Sequence, residues 1–317
     1  MSVSDGALPM HVAFIAEGAY LTHAAAMLDS LAAHHTASAL QFHLLYGAEL
    51  HLPDSDRLER WLERRSLRLL RHRVPDALMQ GFPGTHFHRS IWFRTLLPEL
   101  LPHLDRVLYL DADTLVLAPL APLYGTDLSR HLFAAVTNPL YPFMENWPVT
   151  RLGLPDGSRY INSGVLLLNL DAMRRAGTTE QLRRYAVAHP ENRYPEQDAL
   201  SSLFHEQCLF LHPRWNVQTT LYDLAPGELP FPEPVVRETR SNPAIAHFIG
   251  PFKPDHYLSR HPAGGAYLRH RANTPWPVIR DQGVGPVNRV LRRLPMRWQY
   301  QYFVTRATLQ DRLSHFW

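Results

Sequence analysis

The chain has 317 residues, 45% of them hydrophobic, 19% charged and 11% aromatic, with a formal net charge of +3. This composition excludes a disordered chain and is ample for a buried core in one large domain or two small ones. So small an excess of charge gives no argument for a nucleic-acid partner, and the single cysteine, Cys208, excludes an internal disulfide and a thiolate zinc cluster.

Apolar runs and helical periodicities alternate through the first half. Residues 12–16 read as a buried strand, 22–34 as a helix with Thr22 as its cap, 40–46 as a second strand and 54–65 as a charged amphipathic helix. A third strand is expected at 67–74, a helix capped by Ser90 at 90–101, and a short apolar strand at 106–110 that runs into an acidic cluster. This alternation predicts an α/β fold with a mainly parallel central sheet and right-handed crossovers, with ligands at the carboxyl ends of the strands. Further on, 132–136 and 160–169 are strand-like around a Pro-rich aromatic loop at 138–155. Helices are expected at 178–188 and 197–205, short strands at 208–211 and 244–248, and a Pro-rich connector at 226–234.

The tail 280–317 carries seven Arg and two Asp, hence +5, which leaves −2 for the remainder. Trp298, Tyr300, Tyr302, Phe303, Phe316 and Trp317 lie among these charges. Basic charge interleaved with aromatics suits peripheral contact with an anionic membrane face; the alternative is a helical appendix packed on the main domain. The expected division is a catalytic domain at 1–260 and a basic, aromatic, helical extension at 261–317. No run approaches the ~20 apolar residues of a membrane-spanning helix. Residues 1–10 lack the basic start and apolar stretch of a signal peptide. A cytoplasmic protein, peripheral on the inner face of the cell membrane, is therefore expected. Of the 32 basic residues only Lys253 is a lysine, which marks a place where a compact ammonium suits better than a guanidinium fork.

The apolar strand 106–110 leads into Asp111-Ala112-Asp113. Carboxylates at i and i+2 leave the same face of an extended chain, so both reach one divalent cation. Without a cation the like charges repel and one takes up a proton. The second cluster, Ala246-His247-Phe248-Ile249-Gly250-Pro251-Phe252-Lys253-Pro254, adds a strand-end imidazole, a glycine that permits close backbone approach to a ligand, and the lone Lys as a point charge for phosphate. Two carboxylates and one imidazole suit Mn²⁺ better than Ca²⁺, with Mg²⁺ as the alternative ion. The same D-x-D string opens the haloacid-dehalogenase-type phosphatases, where the first Asp is the nucleophile. Its start at position 111, the single Lys and the lack of a later apolar strand ending in paired acids argue against that reading.

Several strings fall in a shared order over residues 11–257: Val12-Ala13-Phe14-Ile15-Ala16, Phe93-Arg94, the stretch 104–113, Tyr160-Ile161-Asn162-Ser163-Gly164 and its continuation to Leu170, Gln197-Asp198-Ala199-Leu200, Arg214-Trp215-Asn216, and His247, Gly250 and Lys253-Pro254. Together they resemble the family 8 glycosyltransferases, the retaining group that includes bacterial lipopolysaccharide galactosyl- and glucosyltransferases and glycogenin. The resemblance implies a GT-A type nucleotide-binding domain, a UDP-glucose or UDP-galactose donor, Mn²⁺, and a glycan or glycolipid acceptor such as lipopolysaccharide. It places the metal ligands on Asp111, Asp113 and His247, and the diphosphate contacts on Lys253 beside Gly250. Nucleotide contacts fall on Ala16, Tyr20 and Ala112, and the catalytic, donor-sugar residues on Arg94, Asn162, Glu196 and Gln197. His86 corresponds to an acceptor-side histidine.

The chain departs from the family pattern at Glu17 and Ala19, where Asp and Asn are common, and at Glu196, where many members carry Asp. These departures bear on base and sugar preference. They keep open a second reading, a degenerate module that binds glycan or nucleotide without turnover. Gln197 is a neutral amide and a weak nucleophile, so front-face attack guided by the leaving phosphate is expected over a covalent intermediate. Arg94 is expected to orient Asp111 or a sugar hydroxyl through its fork.

Overall fold

The computed structural model describes residues 9–302 apart from 49, 85–88, 141–145, 193, 251, 279–281, 296–297 and 300–301. Its strands are β1 (Met10–Ile15), β2 (Leu40–Tyr46), β3 (Arg68–Arg73), β4 (Arg106–Leu110), β5 (Thr114–Val116), β6 (Phe133–Thr137), β7 (Ile161–Asn169), β8 (Cys208–Phe210), β9 (Val217–Gln218) and β10 (Ile245–His247). Seven form the main sheet in the order β3-β2-β1-β4-β7-β6-β8. All neighbours pair in parallel except at the two edges of β7, which alone runs in the opposite direction. The sheet is thus mainly parallel, as the alternation of elements predicts.

The strands are apolar on both sides because both faces are covered. Val12, Phe14, Phe42 and Leu110 pack on one face against Leu21, Leu28 and Leu31 of the Tyr20–Ala32 helix. Ala13, Val107, Tyr109 and Leu166 pack on the other against Trp92, Leu96, Leu200 and Phe204. Buried apolar area of this kind contributes about 25 cal/mol per Å².

Three local expectations need correction. The segment expected as one helix over 90–101 is a 3-10 helix at Arg89–Leu96 followed by a single α-turn at Leu97–Leu100. In a continuous α-helix the Pro98 ring would clash with the carbonyl four residues back, at Arg94. The expected loop at 138–155 contains a helix at Asn146–Leu152, with its proline in the first turn, where no N–H is needed. The connector at 226–234 runs directly into a helix at Glu233–Ser241, again with a first-turn proline. A helix at Leu170–Ala176, closed by Gly177 at φ 62°, follows β7 without a gap.

A second, three-stranded sheet, β5-β10-β9, stands at the carboxyl end of β4. Beyond it the Gly264–Ala272 helix packs on the Tyr20–Ala32 helix, with Tyr267 fully buried beside Ala26, Ala246 and Phe248. The buried Asp29 carboxylate accepts from Asn273 Nδ2 (2.9 Å), meets His270 Nδ1 (2.8 Å) and pairs with Arg65. A short helix at Pro286–Leu291 follows. Among the tail aromatics, Tyr300, Phe303, Phe316 and Trp317 lie outside the described residues, as does His86. Among the described residues no helix is long and apolar enough to cross a membrane.

Candidate active site

β4 ends at Leu110, and Asp111-Ala112-Asp113-Thr114 turns the chain into β5. The turn is bonded: Thr114 N and Oγ1 donate to Asp111 O (3.1 and 2.8 Å), and Asp111 N donates to Gly164 O (2.8 Å). A turn, rather than an extended chain, therefore brings the two carboxylates together. β10 pairs antiparallel with β5, His247 opposite Thr114, and Phe248 N donates to Asp113 O (3.0 Å). This register sets His247 Nε2 3.3 Å from Asp113 Oδ1 and 3.7 Å from Asp111 Oδ2. One ligand atom from each of the three residues lies within 4.8 Å of the others.

Gly164 leaves the room in which His247 and Asp111 come together. A Cβ there would stand 2.2 Å from His247 Cε1 and 2.7 Å from Asp111 Oδ2. The donor set and the cradle both fit a divalent ion.

Arg94 is buried behind the pair. Its Nη2 lies 3.0 Å from Asp111 Oδ1, and its Nη1 donates to Ser163 O (3.0 Å) and Oγ (3.1 Å) and lies 3.5 Å from Glu196 Oε1. Tyr109 OH donates to the same Asp111 oxygen (2.7 Å), and its ring lies under the guanidinium, 4.7 Å from centroid to Cζ. Asp111 Oδ1 is thereby held in place, and Oδ2 is the oxygen turned to His247.

On the far side Lys253 Nζ donates to Phe248 O (2.8 Å) and pairs with Asp113 Oδ2. Gly250, at φ 78°, makes the turn that returns Lys253 to the site, in a backbone region costly for other residues. The ammonium also lies 5.6 Å from the Tyr20 ring centroid, and Tyr20 is half exposed at the start of its helix.

Residues 11–259 match the model of glycosyl transferase family 8. The chain belongs to this family. It is 26% identical over 273 residues to lipopolysaccharide 1,2-glucosyltransferase of Escherichia coli (strain K12), covering 84% of this chain and 79% of that one. General stress protein A of Bacillus subtilis (strain 168) is 28% identical over 207 residues, 63% of this chain and 71% of its own. The crystal structure of the galactosyltransferase LgtC with donor and acceptor sugar analogues matches with a TM-score of 0.73 and 25% identity over 84% of this chain and 97% of that chain. The fold is therefore GT-A, and the chain is a glycosyltransferase of the hexosyl-transferring class. Enzymes of this fold generally use a divalent metal, and Asp111, Asp113 and His247 form a candidate site for one.

In this family 8 chain the predicted charged and amide site residues lie together, while His86 is outside the described residues. Ion pairs join Arg94 to Asp111 and Glu196 and Lys253 to Asp113, His247 Nε2 faces both aspartates, and Asn162 and Gln197 join through Ser163, whose N donates to Gln197 Oε1 (3.2 Å) and whose Oγ donates to Glu196 Oε1 (3.0 Å). Ala16 and Ala112 are buried at the ends of β1 and β4. Burial alone would raise the Asp113 pKa; the Lys253 ammonium outweighs it and holds the carboxyl well below the usual range. Burial opposes the Lys253 charge, and Asp113 more than restores it, so the pKa of Lys253 is raised. Burial raises Glu196, with Arg94 acting against it. Glu17, one of the departures, lends Oε1 to Gly47 N (2.9 Å) and so braces the end of β2.

Sequence reasoning passed over Tyr109, Ser163 and Gly164. All three lie inside recognisable strings, yet their contacts arise only when β4 and β7 pair: Leu110 opposes Val165, one step from Asp111 and Gly164.

Proposed function

We propose that this chain is a retaining, Mn²⁺-dependent transferase that moves glucose or galactose from its UDP donor to lipopolysaccharide or another cell-envelope glycan. The observation that carries this reading is the convergence of Asp111, Asp113 and His247, with the lone lysine beside them. The glucosyl- and galactosyltransferases among its relatives support the sugar and the acceptor class. Asp111, Asp113 and His247 would hold the metal, which supplies positive charge against the departing diphosphate.

The chain's own residues do the rest. Arg94 and Tyr109 orient Asp111. Lys253 turns from Asp113 to a phosphate oxygen, a charge-assisted contact. Ala16, Ala112 and Tyr20 border the nucleotide, and Gly250 lets the backbone approach the diphosphate. Asn162 and Gln197 present amides to the donor sugar. Gln197 Oε1 already accepts from Ser163 N and Asn162 Nδ2, and Nε2 donates to Tyr160 OH (2.7 Å), so its oxygen is poorly placed to attack carbon. The Glu196 carboxylate is buried against Ser163 and Arg94. The acceptor hydroxyl therefore attacks the anomeric carbon from the face the diphosphate leaves. A carbon–oxygen bond forms to the acceptor, the bond to phosphate breaks, and the hydroxyl proton passes to the departing phosphate oxygen.

Residues 1–260 form the catalytic unit in this reading and 261–317 its extension, which rests on the cytoplasmic face of the membrane. A panel of nucleotide sugars with Mn²⁺, read by UDP release and by the anomeric configuration of the product, tests it. Release from UDP-glucose or UDP-galactose with retention is expected. A chain that binds these donors and releases no UDP with any divalent ion is the degenerate module instead.

A further inference from the structure

His247 Nδ1, the ring nitrogen turned away from the carboxylates, lies 2.9 Å from Asn216 Oδ1, and both residues are fully buried. Ring nitrogens donate or accept, and a side-chain amide fits either way round, so this contact alone leaves two arrangements. The neighbours remove the choice. Gly164 N is a backbone amide and only donates; it lies 3.1 Å from Asn162 Oδ1, so that end of Asn162 is its carbonyl. The same oxygen is 2.7 Å from Asn216 Nδ2, which must then be the NH₂ end. The other end of Asn216 is its carbonyl, and His247 Nδ1 carries a hydrogen.

The opposite end of the network gives the same polarity. Ser163 N donates to Gln197 Oε1 (3.2 Å), so Asn162 Nδ2 donates to that oxygen as well (3.3 Å). Gln197 Nε2 donates to Tyr160 OH (2.7 Å), and Tyr160 donates to Asp198 Oδ1 (2.7 Å). Every bond from His247 to Asp198 points one way and ends on a carboxylate, an arrangement in which the bonds polarise one another.

We propose that Asn216 is a positioning residue. It holds His247 with hydrogen on Nδ1 and leaves Nε2 as the nitrogen that faces Asp111 and Asp113. It also ties that choice to the two amides presented to the donor sugar. The proposal rests on the metal reading of this site. Without Asn216 no acceptor for Nδ1–H remains among the described residues, and the ring is free to carry its hydrogen on Nε2, where it blocks a cation. Partners of this kind behind a metal-bound imidazole change metal affinity about 10–100-fold.

Two substitutions separate the two halves of the role. Asn216→Ala removes the acceptor for His247 and the donor to Asn162. Asn216→Asp keeps the acceptor and loses the donor. The first readout is the ¹⁵N spectrum of the histidine-labelled, metal-free protein at alkaline pH, which reports the tautomer of His247. The second is Mn²⁺ affinity from the electron paramagnetic resonance of free Mn²⁺, and the third is the KM for the UDP-sugar. Wild type is expected as the Nδ1–H form. The Ala variant should move to Nε2–H and lose Mn²⁺ affinity about 10–100-fold. The Asp variant should keep both while the donor KM rises about tenfold from the broken bond to Asn162. A wild-type ring in the Nε2–H form, or an Ala variant with unchanged tautomer and unchanged Mn²⁺ affinity, overturns the proposal. If the Ala variant does not fold, the wild-type spectrum and the Asp variant still decide. Wild type that binds no Mn²⁺ sinks the metal reading, while the tautomer is judged separately from the metal-free spectrum.

Discussion

An alanine at position 164 would put a methyl group against two of the metal-facing side chains, at His247 Cε1 and Asp111 Oδ2. Gly164 does not adopt a positive φ, so the backbone itself tolerates the change. Gly164→Ala is expected to fold, at a cost of ~1–3 kcal/mol for the crowding, and to lose Mn²⁺ binding and transfer together. Circular dichroism checks the first and Mn²⁺ resonance the second; a variant that binds Mn²⁺ as wild type would falsify the cradle. Lys253→Ala should lower turnover about 100-fold, near 3 kcal/mol of charge stabilisation. It also leaves Asp113 buried without its cation, so Mn²⁺ should raise the melting temperature of this variant more than that of wild type. Much of this site was legible before folding, because its charged members are conspicuous: a D-x-D after an apolar strand, a strand-end histidine and the one lysine. Gly164, Ser163 and Tyr109 were not. Small and neutral polar residues serve everywhere in proteins, and only strand pairing turns these toward Asp111.

Where the strands are long and apolar, the elements were equally legible. β2, β4 and the Thr178–Ala188 helix occupy the expected residues. β5 and β9, at three and two residues, are too short to show a period, and the prolines at 148 and 234 read as breakers although they sit in first turns. The contact between the Gly264–Ala272 helix and the Tyr20–Ala32 helix depends on Asp29, where burial is outweighed by bonds from His270, Asn273 and Arg65 and the pKa is lowered. Asp29→Ala should cost about 2 kcal/mol, less than a fully buried pair because Arg65 is partly exposed, read as a fall in the urea midpoint. Across β1, β2 and β3 a histidine ladder runs from His11 Nδ1 to His43 Nε2 (2.9 Å) and from His43 Nδ1 to His72 Nε2 (3.0 Å). Burial, then the neighbouring imidazoles, hold His43 down at about 3. The unfolded chain takes up this proton near its ordinary 6.5 while the folded chain refuses it. The stability is therefore complete above that pH and is lost as the pH falls toward 3, by up to ~1.4 kcal/mol per pH unit for one group. The urea midpoint should drop between about pH 7 and pH 5, and His43→Leu should flatten that slope; an unchanged slope would show that the ladder titrates normally.

For the molecule as a whole, the proposed contact with a membrane surface rests on the extension. Val287, Val290 and Trp298 are exposed beside Arg292 and Arg293, with Arg289 on the same short helix. At about 1 kcal/mol for each arginine near an anionic surface, a triple Ala variant at 289, 292 and 293 should bind phosphatidylglycerol vesicles about 100-fold more weakly. Transfer to a soluble acceptor should be unaffected. Equal binding of wild type to neutral vesicles would remove electrostatics from the account. The reversal of β7 carries one more consequence. β6 ends and β7 begins at the same rim of the sheet, the rim where β4 delivers its acidic pair. The whole connection from Thr137 to Ile161, with its Asn146–Leu152 helix, is thereby moored at both ends beside the reaction centre. A change of length in that span would leave the strand ladder and the acidic pair untouched, so in the proposed reaction it is the place where acceptor choice is free to vary.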